Sequence, residues 1–195
     1  MSVHKLLNRV VTPDGLDYEQ DLAEVGKAIQ NYTFGIASDA MTQFAIVFSA
    51  LIHDVDHAGI SNPDLVAENS ELGEMYNVST AEQNSVTLSW DLLMDAEYKD
   101  LQQCLFNSTQ ELHRFRSTLV NCVMATDIFE KNGKAFRNQR WDKAFNDDSD
   151  MEDTYRLKAT IVIEHIIQAS DVAHCMQHWN VYTKWVSCIS FVARC

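Results

Sequence analysis

The feature that most constrains this chain is a strongly apolar stretch that runs directly into a cluster of ionisable side chains. Residues 41–52 are apolar on almost every side, which is typical of a helix buried in a core. The next five positions, 53–57, read His-Asp-Val-Asp-His and hold four ionisable side chains. Such groups beside a core helix cost free energy unless something pairs with them. A bound metal ion is the simplest partner, and we predict a metal site here.

The candidate ligands are His53 and Asp54, joined by one carboxylate from elsewhere in the chain. A neutral imidazole suits a zinc-like ion, and a carboxylate can also bridge to a second ion. The dipeptide alone is weak evidence, because a purely structural role is commoner for such a pair. However, a second apolar helix, predicted over 161–169, ends beside Asp171. His57 is expected to join these ligands or to contact a group bound to the metal.

The remaining segments show the spacing of amphipathic helices, so the fold is predicted to be all-α, a multi-helix bundle. Ser38 or Asp39 is expected to cap the buried helix. Thr80 and Gln83 fit a capping box at the start of a later helix. Asn132–Gly133 is expected to end a long one. The predicted helices cover residues 17–32, 41–52, 64–76, 109–129 and 155–171, with a solvated acidic loop over 146–153.

Composition narrows the possible partners and the compartment. The formal net charge of −13 argues against nucleic acid, whose phosphates are neutralised by Lys and Arg. An anionic substrate would therefore need a local positive centre, which bound cations can supply. The longest apolar run, residues 44–52, is too short to span a membrane. The five cysteines are odd in number and show no metal-binding spacing, which favours a reducing compartment, the cytoplasm.

Five short segments form a series that resembles one known family. They are Ala50 to Asn62 (ALIHDVDHAGISN), Asn69 to Asn77 (NSELGEMYN), Ala125 to Asp127 (ATD), Ala169 to Val172 (ASDV) and Tyr182 to Trp185. In this order and at these separations they resemble the catalytic domain of class I 3′,5′-cyclic-nucleotide phosphodiesterases, a helical branch of the HD metal-dependent hydrolases. The HDVDH segment followed by SELxxMYN is the most specific part of the resemblance.

The resemblance implies hydrolysis of cAMP or cGMP to 5′-nucleoside monophosphates in signal transduction, with two divalent metal ions as cofactors. These would be Zn²⁺ at a tight site and Mg²⁺ or Mn²⁺ at a second site. His53, Asp54 and Asp171 match metal ligands, with Asp54 touching both ions. His57 matches a histidine that contacts the phosphate. The positions implied to contact substrate are Asp54, Asn62, Thr126, Ile128 and Asp171.

The chain also departs from the family pattern. An acidic residue that supports the metal falls on Gln83 in an ungapped match, with Glu82 one residue earlier. The family's upstream Y-H-N-x-x-H-A segment, which supplies the proton donor and a further metal ligand, has no match. Residues 1–185 are therefore expected to be a partial catalytic domain with low or no activity by itself. Residues 186–195 are expected to be a divergent tail.

These departures leave other functions open. The chain could be a noncatalytic helical module that regulates or binds other proteins. It could also be another HD-type phosphohydrolase, acting on a nucleotide monophosphate, although the SELxxMYN and ATD segments count against this. The expected partners are a small cyclic nucleotide and the rest of a larger multidomain signalling protein, in the cytoplasm or on the cytoplasmic side of a membrane. Nothing in the sequence decides between cAMP and cGMP.

Overall fold

The computed structural model describes residues 2–12, 21–68, 71–146 and 151–192, and within these residues it contains helices and no strand. The prediction of an all-α fold is confirmed. The helices are α1 (Ser2–Val11), α2 (Leu22–Tyr32), α3 (Ala40–Ile52), α4 (Asn62–Ala67), α5 (Glu71–Met75), α6 (Thr80–Leu93), α7 (Lys99–Leu105), α8 (Thr109–Met124), α9 (Lys131–Asn146), α10 (Met151–Asp171) and α11 (Trp179–Val192).

Helix α3 lies between two apolar clusters and belongs to both. The first cluster contains Val3, Leu7, Ile36, Ile46, Cys122, Ile163, Ile166 and Ile167. The second contains Ala45, Ile52, Val86, Leu93, Phe115, Leu119 and Val123. Because α3 supplies Ile46 to one and Ala45 and Ile52 to the other, its central position is confirmed, although Leu51 on its outer side is exposed. The end of α3 is thereby fixed in the core.

The start of α3 is held by Asp39, one of the two residues that the sequence offered as its cap. Oδ1 of Asp39 accepts a hydrogen bond from the backbone N–H of Thr42 at 3.1 Å, which satisfies a free donor of the first turn. Arg114 of α8 donates to both oxygens of the same carboxylate, at 2.9 and 3.3 Å. The cap therefore also ties α3 to α8, the helix against which it packs.

Helix α10, which carries the second predicted ligand at its end, packs against α1, α3, α8 and α9. An ion pair joins α9 to α10, since Nη1 of Arg140 donates to Oε1 of Glu164 at 2.8 Å. Glu164 is only 6% exposed, so this carboxylate depends on Arg140 for its compensation. Trp141 of α9 also packs on the ring of His165, with ring centroids 5.6 Å apart.

The structure corrects several predicted boundaries. The helix predicted over 64–76 is two helices, α4 and α5, the first of them capped by the hydroxyl of Ser61. Helix α8 ends at Met124, and Asn132–Gly133 lies in the first turn of α9 instead of ending a helix. Glycine costs about 1 kcal/mol relative to alanine inside a helix, and the packing of α9 on α10 outweighs that cost.

Two further predicted segments extend into residues that lie outside the described ranges. The predicted helix over 17–32 is α2, which begins at Leu22, and residues 17–20 lie outside the described ranges. Of the predicted acidic loop over 146–153, residue 146 ends α9 and residues 151–153 begin α10, while 147–150 lie outside the described ranges.

The predicted capping box at the start of α6 is wrong. Ser79 is the residue before the helix, with a left-handed φ of 45°, and the hydroxyl of Thr80 donates to the carbonyl oxygen of Tyr76 at 2.7 Å. Gln83 does not reach back to Thr80, because its Nε2 donates to the carbonyl oxygen of Val78 at 2.6 Å. Instead, polar residues on the buried side of α6 face the segment that follows α3.

In the described ranges, no helix has both the length and the apolar character needed to cross a membrane.

Candidate metal centre and adjoining cleft

The ionisable segment after α3 is held in place by the polar side of α6. The hydroxyl of Ser85 donates to the carbonyl oxygen of Val55 at 2.7 Å, and Nδ2 of Asn84 donates to Oδ2 of Asp56 at 3.2 Å. Both α6 residues are buried, and Asp56 has a left-handed φ of 61°. Positive φ is uncommon for a residue other than glycine, so these contacts stabilise an otherwise unfavourable turn and fix the residues before it.

His53, Asp54 and Asp171 come together where α3 and α10 end. Nε2 of His53 lies 3.2 Å from Oδ2 of Asp54 and 3.4 Å from Oδ1 of Asp171. One nitrogen or oxygen of each residue lies within 4.8 Å of the others. The three residues that the sequence proposed as ligands of one ion are thus adjacent in the fold.

The orientation of the His53 ring suits metal binding. Its Nδ1 lies 3.1 Å from the carbonyl oxygen of Ala50, which can only accept a hydrogen bond. The neutral ring therefore carries its proton on Nδ1, and the lone pair on Nε2 points to the two carboxylates. A second hydrogen bond of this kind is the usual way in which a protein orients a metal-binding histidine.

The protonation of His53 depends on the two carboxylates beside it. Hydrogen bonds to Asp171 and then to Asp54 raise the pKa of His53 to about 10, against the opposing effect of burial. The hydrogen bond from His53 lowers the pKa of Asp54. Without a metal the imidazolium is the positive charge between two carboxylates. One imidazole nitrogen and two carboxylate oxygens are also ligands that Zn²⁺ accepts, and three protein ligands are the usual number at a catalytic zinc, so the residues fit an ion.

A cleft of about 1020 Å³ opens beside the cluster. Asp171 lies at the boundary between this cleft and a smaller cavity of about 110 Å³ that His53 lines. Asp54 is exposed and lines neither of them. The other sequence-predicted residues that line the cleft are His57, Asn62, Glu82, Thr126 and Ile128.

His57 presents a hydrogen-bond donor to the cleft. Its Nδ1 accepts a hydrogen bond from the backbone N–H of Gly59 at 2.9 Å, and Gly59 has a positive φ of 75° that makes this tight turn possible. Because Nδ1 is the acceptor, the neutral ring carries its proton on Nε2. That N–H can donate to an anionic ligand in the cleft.

Asn62 connects three parts of the cleft wall. Its Nδ2 donates to Oε2 of Glu82 at 2.8 Å and to Oδ2 of Asp127 at 3.2 Å, and its Oδ1 accepts from the backbone N–H of Ala81 at 2.9 Å. With both amide groups engaged by the protein, Asn62 holds two carboxylates in place. Its predicted contact with substrate stays a prediction.

Asp127 is a site residue to which sequence reasoning gave no role. It is buried, and besides Asn62 its carboxylate accepts from the hydroxyl of Ser79 at 2.8 Å and from the backbone N–H groups of Phe129 and Glu130 at 3.2 and 3.1 Å. Asp127 therefore shapes the turn that follows α8. The sequence feature that could have identified Asp127 is its position in the ATD segment, beside Thr126.

The structure distinguishes Glu82 from Gln83, which the sequence left as alternatives. Glu82 lines the cleft, whereas the amide of Gln83 is bound to the carbonyl oxygen of Val78 and does not line it. Adjacent residues of a helix point about 100° apart, and of these two the acidic residue is the one that lines the cleft. The role of Glu82 in supporting a metal stays a prediction.

The charges lining the cleft are almost all negative. Its described lining includes four carboxylates and no Lys or Arg. An anion could bind there only with a cation to offset these charges. The carboxylates belong to Glu82, Asp127, Glu130 and Asp171.

The helical fold agrees with the comparison to known proteins. A family model described as 3′5′-cyclic nucleotide phosphodiesterase matches residues 27–191, and the chain belongs to that family. It is 39% identical over 84 residues to a 3′,5′-cyclic-AMP phosphodiesterase 4C of Rattus norvegicus, covering 43% of this chain and 15% of that protein.

Two further similarities extend over more of the chain. It is 26% identical over 161 residues to the dual specificity calcium/calmodulin-dependent 3′,5′-cyclic nucleotide phosphodiesterase 1C of Homo sapiens, covering 79% of this chain and 21% of that protein. A solved structure of LmjPDEB1 in complex with IBMX matches with a TM-score of 0.64 and 23% identity, covering 84% of this chain and 48% of that one. The solved structure supports the fold, and the chain spans about a fifth or less of these curated relatives.

Proposed function

We propose that this chain takes part in the metal-dependent hydrolysis of 3′,5′-cyclic nucleotides to 5′-nucleoside monophosphates. The observation that carries the proposal is the cluster of His53, Asp54 and Asp171, which meets the cleft at Asp171. The names of the relatives support the substrate class, since they are phosphodiesterases of cyclic AMP and of cyclic nucleotides. Neither purine base is favoured over the other.

The chain's own residues would hold the metal and orient the phosphate. His53, Asp54 and Asp171 would bind a zinc-like ion, and we propose that Asp54 also contacts a second ion, Mg²⁺ or Mn²⁺. When bound, such ions supply positive charge for the phosphate and lower the pKa of water towards neutrality. The negative cleft makes this supply of positive charge necessary for an anionic substrate.

Hydrolysis requires that a water oxygen bonds to phosphorus, that the P–O3′ bond breaks and that O3′ gains a proton, which balances the proton lost by the attacking water. The Nε2–H of His57 would donate to a phosphate oxygen, where negative charge increases during the reaction. Asn62 would keep Glu82 and Asp127 apart from each other and in place. Thr126 and Ile128, which also line the cleft, would contact the nucleotide.

We further propose that the chain works as part of a longer cytoplasmic signalling protein. Its curated relatives are several times longer than the region they share with it. The described cysteines Cys104, Cys122 and Cys175 are free thiols, which suits a reducing compartment.

The direct test is to incubate the purified chain with Zn²⁺ and Mg²⁺ and to follow cAMP and cGMP by chromatography. We expect the matching 5′-monophosphate as the product, formed slowly because this chain shows no match to the Y-H-N-x-x-H-A segment that supplies the proton donor. This product should be lost with a chelator and in Asp54→Ala. His113→Ala is the control, because His113 is exposed on α8 and should change the rate by no more than a few fold.

Other outcomes identify the alternatives. Binding of cyclic nucleotide without turnover would indicate a noncatalytic module. Release of phosphate from a nucleoside monophosphate, with the cyclic substrates intact, would indicate a different phosphohydrolase. Equal losses in Asp54→Ala and His113→Ala would show that the site has been misassigned.

A further inference from the structure

A second cavity, of about 740 Å³, lies between α1, the end of α2, α9 and α10. None of its lining residues lines the cleft beside the metal centre. Its floor is the outer layer of the first apolar cluster, because the same side chains belong to that cluster or pack against it. These floor residues are Leu6, Val10, Val162 and Ile166. Cavities that bind small molecules are commonly about 300–1,000 Å³ and mostly apolar.

Aromatic side chains also line this cavity. Trp141 and Phe145 of α9 lie with their ring centroids 4.5 Å apart and are 45% and 39% exposed. Tyr32, the last residue of α2, lines the same cavity and is 66% exposed. Single exposed apolar residues are ordinary on a protein surface, whereas aromatic rings gathered around an apolar cavity are typical of a ligand site. An apolar ligand in the cavity can cover these rings.

Another aromatic residue of the lining is held in a strained conformation. Phe34 has a left-handed φ of 51°, which is rare for a bulky side chain. Its ring packs edge-on against Tyr155 of α10, with centroids 5.8 Å apart, and the hydroxyl of Tyr155 donates to the carbonyl oxygen of Gln30 at 2.6 Å. These contacts offset the cost of the backbone conformation. The ring is thus fixed at the cavity before a ligand binds, so binding costs little further ordering there.

The charge of the lining is opposite to that of the whole chain. The described lining includes Arg9 and no Asp or Glu, although the chain has a formal net charge of −13. No carboxylate among the described residues forms an ion pair with Arg9, which is exposed on α1. A planar guanidinium can donate two parallel hydrogen bonds to one carboxylate. The cavity therefore suits a ligand with an apolar part and a single anionic group.

We propose that this cavity binds a fatty acid, whose hydrocarbon chain lies on the apolar floor among the aromatic rings and whose carboxylate pairs with Arg9. The proposal depends neither on the metal nor on a cyclic nucleotide. An alkyl phosphate combines an apolar chain with an anion in the same way. The carboxylate is favoured because one guanidinium offsets its single charge, whereas a phosphate monoester carries a charge of about −1.5 to −2 at neutral pH.

The test compares three probes that share the same alkyl chain length and differ in the head group: dodecanoate, 1-dodecanol and dodecyl phosphate. Each is titrated, below its micelle concentration and with a chelator present, against the full chain carrying cis-parinaric acid, a fatty acid that fluoresces in apolar surroundings. We expect dodecanoate to displace it with about 10–100-fold higher affinity than 1-dodecanol, because only the carboxylate forms charge-assisted hydrogen bonds with Arg9. Dodecyl phosphate should bind no more tightly than dodecanoate.

Two variants with matched controls assign the contacts. In Arg9→Gln the affinity for dodecanoate should fall about tenfold or more, while that for 1-dodecanol should stay within about twofold. Lys5→Gln removes another exposed cation of α1, outside the lining, and should change neither affinity. Phe145→Ala removes apolar contact area and should weaken both probes about 3–10-fold. Phe136→Ala removes another exposed phenylalanine of α9, outside the lining, and should change neither.

Four results would overturn the proposal. The first is that none of the probes binds the wild type. The second is binding that neither Arg9→Gln nor Phe145→Ala changes, since the probes would then lie elsewhere. Equal affinity for dodecanoate and 1-dodecanol would remove the contact between the carboxylate and Arg9, and tighter binding of dodecyl phosphate would assign the cavity to a lipid phosphate. Because Arg9 is exposed, its variant keeps the test valid even if Phe145→Ala does not fold. Hydrolysis at the metal centre is assayed separately and is unaffected by any of these results.

Discussion

Nε2 of His53 lies 3.4 Å from Oδ1 of Asp171, and so the ends of α3 and α10 meet at one point. The two helices come from distant parts of the chain, but each is embedded in the first apolar cluster through Ile46 and Ile167 respectively. Packing of the helices therefore sets the distance between the ligands. The charges of protonated His53 and Asp171 offset each other, which lowers the free-energy cost of holding the two groups at this point.

Removing one ligand should weaken metal binding strongly. Asp171→Asn keeps the size of the side chain but removes its charge. Mutation of residues that merely orient metal ligands costs about 10–100-fold in affinity, so loss of a ligand should raise the Kd for Zn²⁺ by at least about 100-fold. The measurement is a competition titration with a chelating dye. Asp91→Asn, an exposed residue of α6, serves as the control and should bind as wild type does.

Metal binding should release a proton and should strengthen as the pH rises. In the metal-free protein, hydrogen bonds to Asp171 and Asp54 raise the pKa of His53 from 6.5 to about 10. The ion must displace this proton, so its apparent affinity should rise by up to about tenfold per pH unit between these two values. Calorimetry in two buffers of different ionisation enthalpy should show close to one proton released per ion at pH 8. Binding without proton release would mean that His53 is not a ligand.

The same raised pKa predicts how the stability of the metal-free protein depends on pH. His53 is more easily protonated in the folded state, so its contribution to stability is complete below its ordinary pKa of 6.5 and is lost as the pH rises through about 10. The free energy of unfolding, measured with urea and a chelator present, should therefore exceed that of His53→Gln most clearly at pH 6. A difference that grows between pH 7 and 9 would contradict this assignment.

Removing one partner of the buried ion pair between α9 and α10 should destabilise the fold more than replacing both partners with apolar residues. Arg140→Met leaves Glu164, which is 6% exposed, without its cation, and should destabilise the fold by about 3–5 kcal/mol. The double variant with Glu164→Leu removes both charges and should recover most of that loss. Thermal or urea unfolding of both variants tests this. Equal destabilisation by the single and double changes would mean that packing, not charge, is what Arg140 supplies.

Much of this candidate site could be predicted from local sequence, because its candidate ligands directly follow apolar helices. The stretch before His53 is apolar on nearly all sides, and burial of that helix is a property of its own residues. The same holds for the helix before Asp171. Such patterns place the ends of the helices in the core, but not the carboxylates that follow them, since the side chains of Asp54 and Asp171 are 65% and 40% exposed.

The features that were not predicted depend on tertiary contacts, which cannot be inferred from local sequence patterns. The role of Asp127 comes from partners on α4 and before α6, Asn62 and Ser79, which are distant in sequence. Whether Glu82 or Gln83 faces the cleft depends on the rotation of α6 about its axis. An ungapped match to the family pattern cannot detect a shift of one residue. The start of α9 at Lys131, just before Gly133, was missed because glycine normally ends helices, and packing against α10 overrides that preference.

The side-chain amide of Asn62 separates the carboxylates of Glu82 and Asp127. Asn62→Asp changes one N–H₂ group to an oxygen and keeps the shape, so both hydrogen bonds from Nδ2, at 2.8 and 3.2 Å, are lost. Three carboxylates then face each other in a half-buried site. We expect a loss of about 2–4 kcal/mol in the free energy of unfolding at pH 7 in the absence of metal, from two unsatisfied acceptors and like-charge repulsion.

Asn62→Ala is the matched comparison, because it removes the same donors and adds no charge, and it should cost about 1–3 kcal/mol. The two variants should also differ in their response to acid. As the pH falls to about 4, where carboxyl groups begin to protonate, the added carboxyl of Asn62→Asp becomes neutral and can donate to a neighbour. Its deficit relative to Asn62→Ala should therefore shrink or reverse. A constant difference between the two variants from pH 7 to pH 4 would show that the carboxylates of Glu82 and Asp127 do not interact through residue 62.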